Sequence, residues 1–209
     1  MKYTLSMGAA LLLFGCGTSE APTNENEINT EITTEQKEPM AENQKQMEYV
    51  AMETSLGSVT IELDPNSAPE TVANFLRYVD AKAYDGTIFH RVISNFMIQG
   101  GGFTPDGNQK PTEAPIMLES QNGLKNDIGT IAMARTNAPN SATSQFFINV
   151  SKNDFLNYSP GNPGYAVFGK VTSGMEVVNQ IRQVQTGTRN GMGDWPKEDV
   201  VIKTIRRES

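Results

Sequence analysis

From residue 49 to residue 205 the chain is a succession of short apolar runs, most of them with a period of two, and this constrains the fold more than any other feature. In "SVTIEL", Val59, Ile61 and Leu63 fall on one face, as a half-buried strand requires, and residues 49–53 ahead of Gly57 read as its hairpin partner. Similar runs occupy 89–93, 96–99, 116–119, 130–134, 145–150, 166–171 and 200–205. The total of roughly eight or nine strands is enough for a sandwich or a closed barrel. Two stretches have helical spacing instead. In "SAPETVANFLRYV", Val72, Phe75, Leu76 and Val79 make one stripe, and in "SGMEVVNQIRQV" the stripe is Val177, Val178, Ile181 and Val184. Ser67 with Glu70, and Ser173 with Glu176, have capping-box spacing. A barrel with a helix closing each end is the economical arrangement, although the pattern alone does not choose it over a sandwich.

The first 47 residues cannot join such a core. "MKYTLSMGAALLLFGC" has one lysine and then an uncharged, mostly apolar run from Thr4 to Phe14, too short to span a bilayer as a helix, and reads as an export signal over residues 1–15. Leu13-Phe14-Gly15-Cys16 resembles the bacterial lipobox, in which the cysteine takes a lipid and becomes the new N-terminus. Cys16 is the only cysteine, so an exported chain has no disulfide to form with it. The expectation is lipidation at Cys16 and a cell-envelope location, at the outer membrane or periplasmic side in a Gram-negative cell. An ordinary secretory signal with a bystander cysteine is the alternative. Residues 16–47 are rich in Glu, Asn, Thr and Gln and nearly free of large apolar side chains, so a disordered acidic tether is expected, with the folded domain over 48–209.

Several chemistries are excluded. A net charge of -7 with no basic run interleaved with aromatics argues against nucleic acid as a partner. The sole histidine, His90, reads as a buried structural imidazole facing away from Arg91. With Cys16 committed to lipid, no Cys or His set remains for a nucleophile or a zinc site, and neither metal nor cofactor is expected. Gly100-Gly101-Gly102 lacks a phosphate-loop pattern and reads as a tight turn with close backbone approach.

What remains is "FHRVISNFMIQGGGF", residues 89–103, where Arg91 stands among apolar side chains. A guanidinium keeps its charge and offers five donors, so it needs an acceptor, either a ligand or an internal carboxylate such as Glu119.

Together with "NGLKNDIGTIAMAR", "SQFFINV", "FLN" and "AVFGKV", in order and spacing, this stretch closely resembles the cyclophilins, peptidyl-prolyl cis-trans isomerases, most nearly their prokaryotic branch. The resemblance implies a mainly β fold, a closed eight-stranded antiparallel β-barrel capped by two α-helices, with the site on its outer surface. It implies Arg91 as the catalytic arginine and Gln99 as the glutamine that positions the substrate carbonyl and the arginine. Phe96, Met97, Phe147 and Leu156 fall on the proline pocket, and Ala134 and Gln145 on the groove for preceding residues. Phe155 stands where tryptophan is common and Tyr165 where histidine is common. The first removes an indole donor from the position that holds cyclosporin. The implied partners are proline-containing, unfolded or partly folded polypeptides, and a monomer is expected. A tethered proline-peptide binding module or holdase is the alternative reading.

Overall fold

The computed structural model describes residues 44–208. Strands β1 (Glu48–Thr54), β2 (Gly57–Leu63), β3 (Thr87–Ile93), β4 (Met97–Phe103), β5 (Thr130–Met133), β6 (Phe146–Asn149) and β7 (Val167–Ser173) alternate with helices α1 (Pro69–Asp80) and α2 (Met175–Ile181). A hairpin, β8 (Thr186–Arg189) and β9 (Met192–Pro196), precedes the last strand, β10 (Val201–Arg207). Eight strands close in the order β1-β10-β3-β4-β6-β5-β7-β2, and every pair is antiparallel. Cys16 and the proposed signal lie outside the described residues, as does all of the tether before residue 44.

Alternation works as the sequence predicts. In β1 and β2 every second residue is buried: Val50, Met52 and Thr54, then Val59, Ile61 and Leu63. The apolar residues of this set join Phe89, Ile98, Ile131, Phe146, Ile148, Phe168 and the apolar stripes of both helices in one interior core. Strand β6 is buried at all four positions because its outward residues are covered as well. Phe146 and Ile148 belong to the interior, whereas Phe147 belongs to a second cluster outside the barrel wall with Met97, Ala132, Leu156 and Val167. The period of two thus divides one strand between two cores.

Four local expectations are corrected. Residues 116–119 form no strand. Only a single bridge, Ile116 to Ala142, is made, because side chains take the backbone donors that follow: Glu70 Oε1 accepts from Met117 N (3.4 Å) and Asn140 Oδ1 from Leu118 N (3.0 Å). Neither helix has its capping box. The N-cap of α1 is Ala68, and Ser67 donates instead to Asp64 Oδ2 (2.7 Å). The first-turn N–H groups of Glu70 and Thr71 donate to the Glu119 carboxylate at 3.1 and 2.8 Å, so a distant residue caps the helix. Helix α2 starts after Gly174, and Ser173 is the last residue of β7. The three glycines are part of β4 rather than a turn, opposite a register irregularity in β3. Gly101 has φ +83, and a Cβ there would lie 2.9 Å from ring carbons of both Phe146 and Tyr84.

The β8–β9 hairpin was not anticipated, although Asn190-Gly191, at φ 52 and 77, is a strong two-residue hairpin signal. Its anchor is Trp195, 1% exposed, with ring centroids 5.7 Å from Phe103 and 6.0 Å from His90.

Candidate active site

Met97 and Gln99 on β4, Ala132 on β5 and Phe147 on β6 all point outward, because Ile98, Ile131 and Phe146 point in. Cross-strand register then sets Gln99 opposite Phe147 on one side and opposite Arg91 on the other. Directly paired strand residues carry their Cβ atoms about 5 Å apart on one face. A cation, an amide and an aromatic ring are therefore adjacent although residue 147 is distant in sequence from 91 and 99.

These side chains surround a cavity of about 310 Å³. Met97, Phe147 and Leu156, each under 10% exposed, form its apolar floor. Phe96 and Phe155 stack at 5.4 Å on one wall, and Phe155 is 65% exposed at the rim. Tyr165 stands edge-on to Phe147 at 5.6 Å on another wall, and Arg91, Gln99, Ala134 and Arg135 complete the lining. Gln145 does not line this cavity. Its Oε1 accepts from Gln99 Nε2 (2.9 Å), and with Gln99, Ala134 and Arg135 it lines an adjoining groove. All ten residues expected at the site are thus contiguous, with Gln145 one hydrogen bond away.

Among the described residues Arg91 has only a loose partner. Its Nε lies 3.7 Å from Asp194 Oδ2, and both side chains are nearly half exposed. Glu119, the internal acceptor considered from sequence, is occupied at the start of α1. His90 is buried as expected, with Nδ1 lacking any hydrogen-bond partner, and burial together with the nearby Arg91 charge holds its pKa at about 4. It is a neutral spacer at pH 7. Among the described residues no group of three His, Cys, Asp or Glu side chains is placed to hold a metal ion.

Two supporting sets escaped the sequence reading. Arg135 lies 4.4 Å from the Tyr165 ring centroid, and its Nε and Nη2 donate to Gly164 O at 2.9 and 2.7 Å, which clamps the ring that meets Phe147. Asn126, Asn149 and Asn153 are fully buried. Asn153 Nδ2 donates to Phe96 O (2.9 Å) and Asn149 Oδ1 (2.7 Å), Asn149 Nδ2 to Asn126 Oδ1 (3.1 Å), and Asn126 Nδ2 to Leu156 O (3.2 Å). This network ties the 3₁₀ turn Asp154–Leu156 to the Phe96 loop. An asparagine ahead of or within an apolar run is the only sequence trace of it.

A second cavity of about 310 Å³ lies against β2 and β7 beside Leu124. Two of the charges that line it are paired with each other, Lys170 Nζ lying 3.1 Å from Glu62 Oε1, and Tyr49 donates to Glu62 Oε2 at 2.7 Å. Among the described residues Arg91 has no comparably close partner.

Comparison with known proteins agrees with this geometry. The family described as "Cyclophilin type peptidyl-prolyl cis-trans isomerase/CLD" matches residues 49–207. Peptidyl-prolyl cis-trans isomerase cyp18 of Streptomyces antibioticus is 57% identical over 163 residues, which cover 77% of this chain and 98% of that protein. Peptidyl-prolyl cis-trans isomerase B of Escherichia coli is 55% identical over 160 residues, covering 75% and 97%. The crystal structure of a cyclophilin type isomerase of Cryptosporidium parvum superposes with a TM-score of 0.65 at 29% identity, covering 78% of this chain and 99% of that one. The same parasite isomerase in the presence of the dipeptide Ala-Pro gives a TM-score of 0.63 at 30% identity, covering 77% and 99%. With the family matched across its entire barrel and bacterial relatives sharing more than half of their residues with it, this chain belongs to the cyclophilin-type peptidyl-prolyl cis-trans isomerases.

Proposed function

We propose that this isomerase acts outside the cytoplasm, held to the cell envelope by a lipid on Cys16, on X-Pro bonds of unfolded or partly folded exported proteins. The anchor rests on the N-terminal sequence, and the chemistry on one observation: a donor-rich cation with a single loose partner among the described residues lines an apolar cavity.

A peptide bond resists rotation by about 18–20 kcal/mol because the nitrogen lone pair is shared with the carbonyl. Midway through rotation that pair is localised, and the prolyl nitrogen becomes a hydrogen-bond acceptor for that interval only. The Arg91 guanidinium donates to it there and so stabilises the transition state more than either isomer. Gln99 stands opposite Arg91 in the β3–β4 register and donates through Nε2 to Gln145 Oε1, which leaves its carbonyl oxygen to accept from the arginine or the substrate. Met97, Phe147 and Leu156 hold the pyrrolidine ring while the acyl side turns. Proline has no N–H for these walls to leave unpaired. A 10⁵-fold acceleration requires about 7 kcal/mol, and one charge-assisted hydrogen bond contributes roughly 1.5–3 kcal/mol, so ring capture and orientation provide the remainder.

The test is cis-trans exchange of a proline peptide measured by NMR on wild type and Arg91→Ala. Turnover should fall by about 10- to 150-fold, the equivalent of that one bond, while peptide Kd changes far less. Wild-type protein that binds the peptide without accelerating its exchange would instead be a binding module. Mass spectrometry of the native N-terminus should find lipidated Cys16, and an unmodified thiol would overturn the anchor.

A further inference from the structure

The β8–β9 hairpin lies outside the barrel sheet, yet β9 packs beside β3, the strand that carries Arg91. Trp195 points inward against Phe103 and His90, so its neighbour Asp194 points outward, toward the guanidinium. Asp194 adopts φ +60, a left-handed conformation that non-glycine residues seldom take. Asp194 and Arg91 both line a cavity of about 420 Å³, and Gln99 and Arg91 line this cavity and the proline cavity alike.

We propose that Asp194 is a positioning residue for Arg91, holding the guanidinium by its Nε so that the terminal nitrogens remain free to donate to the twisted amide. The proposal rests on the role assigned to Arg91 above. A carboxylate near a catalytic cation has two opposed effects. Its field reduces the positive potential at the substrate, and its contact restricts a long, flexible side chain. Both groups are nearly half exposed, so water screens the longer-range field at the prolyl nitrogen more than it screens the ion pair at 3.7 Å. Positioning therefore outweighs screening. The Nε contact is also the one that leaves the bidentate end of the fork unoccupied.

Asp194→Asn keeps the shape and the tolerance for positive φ while removing the charge, and Asp194→Gly relieves the backbone and removes the carboxylate. Both should lower turnover about two- to fivefold, the range for a partly exposed ion pair, with peptide Kd unchanged. The melting temperature of Asp194→Gly should be equal to or above wild type, and a purely structural turn would show no loss of turnover in that variant. Raising the ionic strength should bring wild-type turnover down toward that of Asp194→Asn, which itself stays flat. In an Arg91→Lys background, which lacks Nε on the fork, the Asp194→Asn effect should vanish. Unchanged or increased turnover in both Asp194 variants overturns the proposal. If Arg91→Ala retains wild-type turnover, it is the role of Arg91 that fails, and the two results are separable.

Discussion

Acidification from pH 7 to pH 5 should destabilise the fold through His90, the only histidine in the chain. The residue is 5% exposed, its ring centroid lies 4.7 Å from that of Phe103, and Nδ1 makes no hydrogen bond, while the Ile88 backbone and the Gln145 side chain favour the protonated form only in part. Burial and the Arg91 charge lower its pKa from 6.5 to about 4. The unfolded chain therefore binds a proton at a pH where the folded chain refuses it, and stability is lost as pH falls from 6.5 toward 4. Linkage with these two values removes about 2 kcal/mol between pH 7 and pH 5, and the loss levels off near roughly 3 kcal/mol below pH 4. Urea unfolding of wild type and His90→Gln at pH 7, 6 and 5 measures it. The variant should lack this slope, and carboxylates common to both proteins, such as Asp64 and Asp80 with their lowered pKa values, cancel in the difference. The single imidazole also gives one set of ring C–H resonances, which should stay in the neutral position down to about pH 5. Parallel stability curves for the two proteins, or a histidine titrating near its ordinary value, would refute this account of the β3 environment.

Removing the distant cap with Glu119→Ala should destabilise the protein by about 1–2 kcal/mol by thermal unfolding, with peptide exchange at saturating enzyme unaffected. In Gly102→Ala the new Cβ would meet Gln145 Cγ at 2.5 Å, so Gln145 must leave Gln99. Turnover should then drop several-fold, on the order of the loss expected from a misplaced positioning group, while the melting temperature changes little. Unaltered exchange would mean that the Gln99–Gln145 bond has no part in catalysis. In the proposed mechanism no group at the site exchanges a proton with the substrate. Turnover of folded protein should be flat between about pH 6 and pH 8.

How far the chain could be read in advance differs from residue to residue. Val59, Ile61 and Leu63, the α1 stripe and the run containing Arg91, Phe96, Met97 and Gln99 were legible because each pattern depends on near neighbours and on the steric periods of strand and helix. Ser67 and Ser173 misled for the same reason: capping spacing is local, but the first-turn donors of α1 were claimed by Glu119, whose approach depends on how a loop crosses the helix end. The run at 116–119 had a strand's composition and lost its ladder to the side chains of Glu70 and Asn140.

Sequence alone therefore determined the barrel's alternation, its two amphipathic helices and the family motif that identifies the reaction. Closure of the barrel decided the rest. It buried Asn126, Asn149 and Asn153 as one network, stacked Arg135 on Tyr165, and brought Asp194 to within 3.7 Å of Arg91. Periodicity is set by bonds between successive residues, whereas these contacts join segments whose separation along the chain carries no information until the strands pair, and only the paired sheet fixes which side chains share a face.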